Sequence, residues 1–318
     1  MKKVNFAAKK VGKLNNHQLP TIAVGIPTYR REQVLVDTIE QVLRQQYPPD
    51  EVIVVDQTPE HTPAVENYLS QRHAGHCIEW VRTPTPNLCA ARNLILANTE
   101  CEIVLYLDDD VIIPSDLIKC HRRSYVDDPE LDALGGQVYH RNRGVLEVSP
   151  SNPKEGTHPI RDIDHRVEDQ YYIGCHYSVR RDAAIKVGGF DELFIGSAYW
   201  EEGDFAARLV RAGYKLCFDP FIWVTHLQSP AGGCRIPKNN FHPQWSKTCN
   251  WFLYQFRYGK TGKGSWRKAI WQSLRAGPLL RENFLRPWKW HYYWYHYLVS
   301  ILEGRKRGKS KIQSPFVT

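Results

Sequence analysis

An open α/β sheet, mostly parallel, twisted and flanked by helices, is the fold this sequence predicts, and three observations predict it. The runs Thr21–Ile26, Glu51–Asp56 and Ile103–Leu107 are almost continuously apolar rather than alternating, the pattern of strands buried on both faces. Segments with helical spacing separate them, so strand and helix alternate along the chain as they do in βαβ units. With 318 residues and 42% hydrophobic content, the chain can bury such a sheet in one large domain or two smaller ones.

Residues 1–20 are polar and basic, without a period, and read as an arm. The strand Thr21–Ile26 then stops at Pro27, which cannot donate to a ladder. Val34, Ile39, Val42 and Leu43 recur at helical spacing until Tyr47-Pro48-Pro49 ends the helix. Glu51–Asp56 is the second strand, which closes a βαβ unit with an expected right-handed crossover. A helix around Ala64–Arg72, a third strand at Ile78–Val81, a helix opened by Asn87–Asn93 and a fourth strand at Ile103–Leu107 continue the alternation. Residues 141–170 are polar and long for a connection, which suggests a functional or mobile loop. Beyond it, Tyr171–Arg180 reads as a strand and Arg181–Val187 as a short helix stopped by Gly188-Gly189. Trp200–Asp204 leads into a helix over Phe205–Tyr214, and Lys215–Trp223 is a further strand followed by Val224-Thr225-His226.

Carboxylates punctuate this pattern. The fourth strand runs directly into Asp108, Asp109 and Asp110, at the strand end where ligands of an open parallel sheet gather. Adjacent acids repel unless a cation or ligand neutralises them, and hard oxygen donors suit Mg2+ or Mn2+, which in turn suit a diphosphate. Glu201, Glu202 and Asp204 form a second group, favoured by a helix N-terminus but more numerous than capping requires.

Composition bounds the class. The eight cysteines include no Cys-x-x-Cys pair and are expected to be reduced packing residues. No apolar run approaches the roughly 18 residues of a spanning helix, and Met1–Asn5 lacks a signal-peptide core, so a cytoplasmic chain is expected. Residues 241–318 hold 15 Lys/Arg against 2 Asp/Glu, a net +13, which leaves −5 for residues 1–240 of a chain whose total is +8. That step suggests a boundary near residue 240.

The ordered set Pro27-Thr28-Tyr29-Arg30-Arg31, Val55-Asp56, Ala91-Arg92-Asn93, Leu107–Asp110, Gly188–Glu192, Glu201–Asp204 with Arg208-Leu209, and Val224-Thr225-His226 resembles the motifs of family 2 glycosyltransferases of the GT-A fold, over about residues 21–230. The resemblance implies an inverting, metal-dependent transferase with a nucleoside-diphosphate sugar as donor and a saccharide or lipid-linked hydroxyl as acceptor. It implies nucleotide-sugar contacts from Pro27, Thr28, Tyr29, Arg31, Asp56, Arg92, Asp108 and Asp109, and metal ligation by Asp108, Asp110 and His226. Three adjacent acids leave the register of the ligands open, with Asp110 first in line. Glu202, where many relatives carry aspartate, is the expected general base, and Trp200, Glu201 and Asp204 are expected at the acceptor.

The back quarter adds seven of the ten tryptophans, and Tyr292–Leu302 followed by Arg305-Lys306-Arg307-Gly308-Lys309 reads as an aromatic helix with a polybasic end. That pattern suits an anionic membrane surface, so a peripheral location at the cytoplasmic face is expected. A basic nucleic-acid-binding protein would explain this tail but not the carboxylates, and no nucleic acid is expected as partner. A nucleotide-sugar binding module without catalysis would keep the fold, and release of nucleoside diphosphate distinguishes it from an enzyme.

Overall fold

The computed structural model describes residues 19–142, 145, 147–168, 174–233, 242–258, 271, 274 and 290–317. Its strands are β1 (Ile22–Thr28), β2 (Glu51–Asp56), β3 (Glu79–Arg82), β4 (Ile103–Leu107), β5 (Val111–Ile112), β6 (Leu131–Arg141), β7 (Thr157–Pro159), β8 (Val167–Glu168), β9 (His176–Arg180) and β10 (Lys215–His226). The helices are α1 (Gln33–Leu43), α2 (Pro63–Ala74), α3 (Leu88–Ala97), α4 (Leu117–Asp127), α5 (Arg181–Lys186), α6 (Glu201–Arg211), α7 (His242–Tyr258) and α8 (Trp290–Lys309).

One mixed sheet runs in the order β3-β2-β1-β4-β9-β6-β10-β5, with β7 on β6 and β8 on β10. Strands β3, β2, β1 and β4 are parallel, β9 lies antiparallel between β4 and β6, and β10 is parallel to β6. The carboxyl ends of β1, β2, β4, β6 and β10 therefore share one edge with the amino end of β9. Ligands of open α/β sheets gather at such an edge.

The continuous apolar runs have the expected cause. Ile22, Val24 and Ile26 enter one core with Leu35, Ile39 and Leu69, while Ala23, Val104 and Tyr106 enter a second core on the opposite face with Ile95, Phe205 and Leu209. Each fully buried aliphatic contributes roughly 1.5–3 kcal/mol, so strands covered on both faces dominate the stability. Gly25 lets α3 approach the sheet closely, because an added Cβ would lie 2.4 Å from Ile95 Cγ2. That contact fixes the height of Arg92, three residues before Ile95 on the same helix.

The fold departs from the sequence reading in four places. Helix α4 and strand β6 were not anticipated, because Leu131–Arg141 carries Gly135, Gly136 and Gln137 in place of a continuous apolar run. Strand β9 begins at His176 rather than Tyr171; residues 169–173 lie outside the described residues. Within 141–170, expected as loop, β7 and β8 each add short pairing. Strand β10 runs through to His226 with an irregularity between Asp219 and Trp223, where Pro220 cannot donate a ladder bond. The expected basic arm falls almost wholly outside the described residues, as do Trp266 and Trp288.

Helices α7 and α8 pack together through buried Phe252, Leu253 and Tyr297, at a spacing that admits no side chain at Gly304, whose added Cβ would meet the Cys249 carbonyl oxygen at 2.6 Å. Helix α7 is also tied to the sheet domain. Arg257 ion-pairs with Asp191 and Asp204, and the Trp200 ring stacks on Tyr254 with centroids 4.8 Å apart. The chain end joins the same loop, with Glu192 N–H donating to the Gln313 carbonyl at 2.8 Å and Gln313 N–H to Asp191 Oδ1 at 2.9 Å.

Candidate active site

A cavity of about 400 Å3 opens at the shared strand edge, walled by Pro27, Thr28, Tyr29 and Arg31 at and just beyond the end of β1, Asp108 and Asp109 after β4, and Glu201 and Glu202 at the start of α6. The three adjacent acids do three different things there. Asp108, with 31% of its side chain exposed, faces the cavity. Asp109 is buried, accepting from Thr28 Oγ1 at 2.7 Å and Arg31 Nε at 3.0 Å. Burial pushes its carboxyl up to about 7, against the pull of Arg31 and with the help of the Asp110 charge. Asp110 turns Oδ2 to Arg31 Nη2 at 3.2 Å and to the Ser229 N–H at 2.7 Å. Arg31 is thus the internal counter-ion, itself held by the carbonyls of Ser229 and Ala231.

His226, at the end of β10, closes this group. Its Nε2 lies 3.0 Å from Asp110 Oδ1 and 3.7 Å from Asp108 Oδ2. Its Nδ1 lies 3.3 Å from Nε2 of His140, the residue facing it in register on β6. A small divalent cation bound at about 2.1 Å in octahedral geometry has neighbouring donors about 3 Å apart, so the His226–Asp110 separation fits such an ion and the His226–Asp108 separation is slightly longer. Of the expected trio, His226 stands near both acids, with Asp110 behind the cavity wall rather than lining it.

Glu201 and Glu202 diverge although they are neighbours. Glu201 is 3% exposed and ion-paired with Arg92, whose Nη2 donates to the Gly174 carbonyl at 2.8 Å. Arg92 is buried beneath Tyr106, Tyr177 and Phe190, with its guanidinium carbon 5.4–6.0 Å from each ring centroid. Glu202 is half-buried and lines the cavity, and burial together with the charge of Asp108 raises its pKa, with Arg92 opposing. Carboxylates with such raised pKa values collect at functional sites.

Three expected contacts need correction. Asp204 is fully buried, held by Arg208 Nε at 2.9 Å, Arg257 Nη1 at 2.9 Å and the Tyr258 hydroxyl at 2.8 Å, so it anchors α6 to α7 and does not meet an acceptor. Trp200 does not line the cavity, because its ring is spent on Trp251 and Tyr254. Asp56 is likewise fully buried, accepting from the Thr58 N–H at 2.8 Å and Trp80 Nε1 at 3.1 Å, with His61 Nε2 2.8 Å away. It braces the loop after β2 rather than opening on the cavity.

The cavity also recruits residues the sequence reading missed, among them Gln57, His140, Cys175 and Tyr199. Signals for them were weak, since a lone histidine or cysteine at a strand end has no local pattern. Backbone strain marks the same place. Of the non-glycine residues with left-handed φ among the described residues, Arg30 (54°), Ala198 (49°), Trp200 (73°) and Gln228 (52°) all stand within two residues of a lining side chain. Such conformations cost on the order of 1–3 kcal/mol each and collect at functional sites.

Comparison with known proteins is consistent with this arrangement. The glycosyl transferase family 2 pattern matches residues 23–188. The succinoglycan biosynthesis protein ExoM of Rhizobium meliloti (strain 1021) is 26% identical over 206 residues, 64% of this chain and 65% of that protein. The putative colanic acid biosynthesis glycosyl transferase WcaA of Escherichia coli (strain K12) is 28% identical over 91 residues, 29% of this chain and 33% of its own. The chain thus spans less than two thirds of either relative. In fold, it resembles the mannosyltransferase PcManGT of Pyrobaculum calidifontis, solved with GDP-Man and Mn2+, at a TM-score of 0.56 and 18% identity over 92% of this chain and 88% of that one. GalNAc-T7, solved with UDP, GalNAc and Mn2+, gives 0.55 and 13% identity over 82% and 55%.

Proposed function

The chain belongs to glycosyl transferase family 2, and from that premise we propose that it moves a sugar from a nucleoside-diphosphate sugar to a hydroxyl of a saccharide or lipid-linked acceptor, with inversion, in polysaccharide or glycolipid synthesis. The observation that carries the reading is one cavity lined by Asp108, His226 and Glu202 together. Relatives named for succinoglycan and colanic acid biosynthesis support the product class.

Asp108, Asp110 and His226 are the residues that would hold Mg2+ or Mn2+. When bound, the ion supplies positive charge against the diphosphate as it leaves. Thr28, Tyr29 and Arg31 line the cavity and would contact the nucleotide sugar, and the Arg31 pairs with Asp109 and Asp110 keep the strand-end acids in register. Glu202 accepts the proton of the acceptor hydroxyl as its oxygen attacks. The buried Glu201–Arg92 pair holds the first turn of α6, which presents Glu202. A single in-line displacement needs no enzyme nucleophile, and positioning both substrates supplies much of the remaining acceleration.

A panel of nucleotide sugars tests this reading. One nucleotide class is expected to raise the thermal midpoint only with Mg2+ or Mn2+ present, and to release nucleoside diphosphate when an acceptor extract is added. Divalent-dependent binding with no release under any acceptor leaves a binding module instead.

We further propose that α8 rests on an anionic membrane. Its outer face exposes Tyr295 (64%), Leu298 (54%) and Leu302 (65%), followed by exposed Arg305, Lys306 and Lys309. No helix among the described residues is long and apolar enough to cross a membrane. A helix lying in the interface uses such a face, with the charges screened within about 8 Å at physiological ionic strength. Leu298→Glu with Leu302→Glu is therefore expected to abolish flotation with anionic liposomes, and added salt to weaken that of the unmodified chain. Unchanged flotation of the double variant refutes the placement.

A further inference from the structure

We propose that Cys175 is a sulfur ligand of the cavity's cation site, so that thiophilic divalent ions are captured by Asp108, Cys175 and His226 while Mg2+ or Mn2+ uses oxygen and nitrogen donors alone. The proposal rests on the cation site inferred above and specifies its selectivity. A carboxylate oxygen of Asp108, Cys175 Sγ and a ring nitrogen of His226 all lie within 4.8 Å of one another. All three residues line the cavity.

The placement follows from topology. Cys175 directly precedes β9, the antiparallel strand that brings its amino end to the carboxyl end of β4. The Asp108 N–H donates to the Cys175 carbonyl at 3.2 Å, which holds the cysteine beside the acid. His226 arrives from β10, two strands further across the sheet, with its Nδ1 beside His140 and its Nε2 turned to the acids. A tetrahedral soft ion takes three protein ligands of mixed O, N and S type and keeps one position open, whereas thiolate adds little for a hard ion. Ligation replaces the thiol proton, which leaves to solvent.

Selectivity follows. Zn2+ or Cd2+ should occupy the cavity more tightly than Mn2+ and exclude it, since Asp108 and His226 are common to both sets. This makes the site sensitive to soft-metal poisoning through a residue that the transfer chemistry does not need.

Cd2+ titration of the full chain provides the test, read by the ultraviolet thiolate-to-cadmium charge-transfer band, with Mn2+ binding followed separately by loss of the free-ion paramagnetic resonance signal. The unmodified chain should develop the band with one equivalent of Cd2+, and once Cd2+ is bound it should no longer take up Mn2+. Cys175→Ser should lack the band and bind Cd2+ at least about tenfold more weakly, with Mn2+ affinity changed by less than about threefold. Cys77→Ser, at an exposed thiol distant in sequence, should keep it. Mn2+ binding that persists undiminished in the Cd2+-loaded chain overturns the proposal without any variant having to fold, because the sulfur then lies elsewhere. Mn2+ binding without a cadmium–thiolate band overturns it and leaves the hard-ion site standing. Failure to bind either ion overturns both.

Discussion

Glu202→Gln is expected to lower the transfer rate by about 10²–10⁴-fold, roughly 3–5 kcal/mol, with donor affinity nearly unchanged. The substitution keeps the shape of the side chain and removes its capacity to accept a proton. Neighbouring acids serve as internal controls with a different signature. Glu201→Gln leaves Arg92 buried among Tyr106, Tyr177 and Phe190 with a weakened counter-ion, and Asp204→Asn does the same to Arg208 and Arg257. Breaking one partner of a buried pair costs on the order of 3–5 kcal/mol of stability, so those variants should shift the unfolding midpoint first. Full turnover in Glu202→Gln alongside a dead but well-folded Glu201→Gln moves the base to position 201.

The same residue predicts a pH profile. A base works only when deprotonated, and burial with the charge of Asp108 raises the Glu202 pKa above the ordinary carboxylate value. Turnover should therefore fall on the acid side at a pH above the usual carboxylate range, as Glu202 takes up a proton, and that acid limb should vanish in Glu202→Gln. A limb at the ordinary carboxylate position would mean that Glu202 is not the titrating group.

Asp108→Asn is the second large effect, expected to weaken divalent-dependent donor binding and turnover by at least about 10²-fold. Asp108 is the cleaner position to alter because it opens on the cavity, whereas Asp110 is fully buried and paired with Arg31. Asp110→Ala removes a ligand and strands Arg31 in the interior at once, so it should lose both binding and stability. Calorimetry of a nucleoside diphosphate with and without Mn2+ separates the cases. Mn2+-dependent binding that persists in Asp108→Asn removes this acid from the site.

What the sequence by itself determined is the frame and the chemistry of its edge. Val24, Val54 and Leu105 belong to strands covered on both faces, and such strands must read as continuous apolar runs, so the sheet was legible. Because the ligand edge of a parallel sheet is the carboxyl edge, the acid run after Leu107 could be assigned to a site before any contact was seen, whereas His226 was joined to it only by the resemblance to family 2 glycosyltransferases. Only the tertiary structure decided which acid does what. Hydrophobic period reports which face a residue occupies, not which distant group stands opposite. Asp109 and Asp110 are withdrawn by Arg31, some 80 positions away in the chain, and Asp110 also by Ser229, 119 positions away. Asp204 is consumed by Arg257 and Tyr258 and Trp200 by Trp251 and Tyr254, all distant in the chain, while Asp56 is held by its nearer neighbours Thr58, His61 and Trp80. Cys175 and His140 reach the cavity through the antiparallel insertion of β9 and the register of β6 on β10, pairings set by sheet-wide packing and encoded in no local pattern.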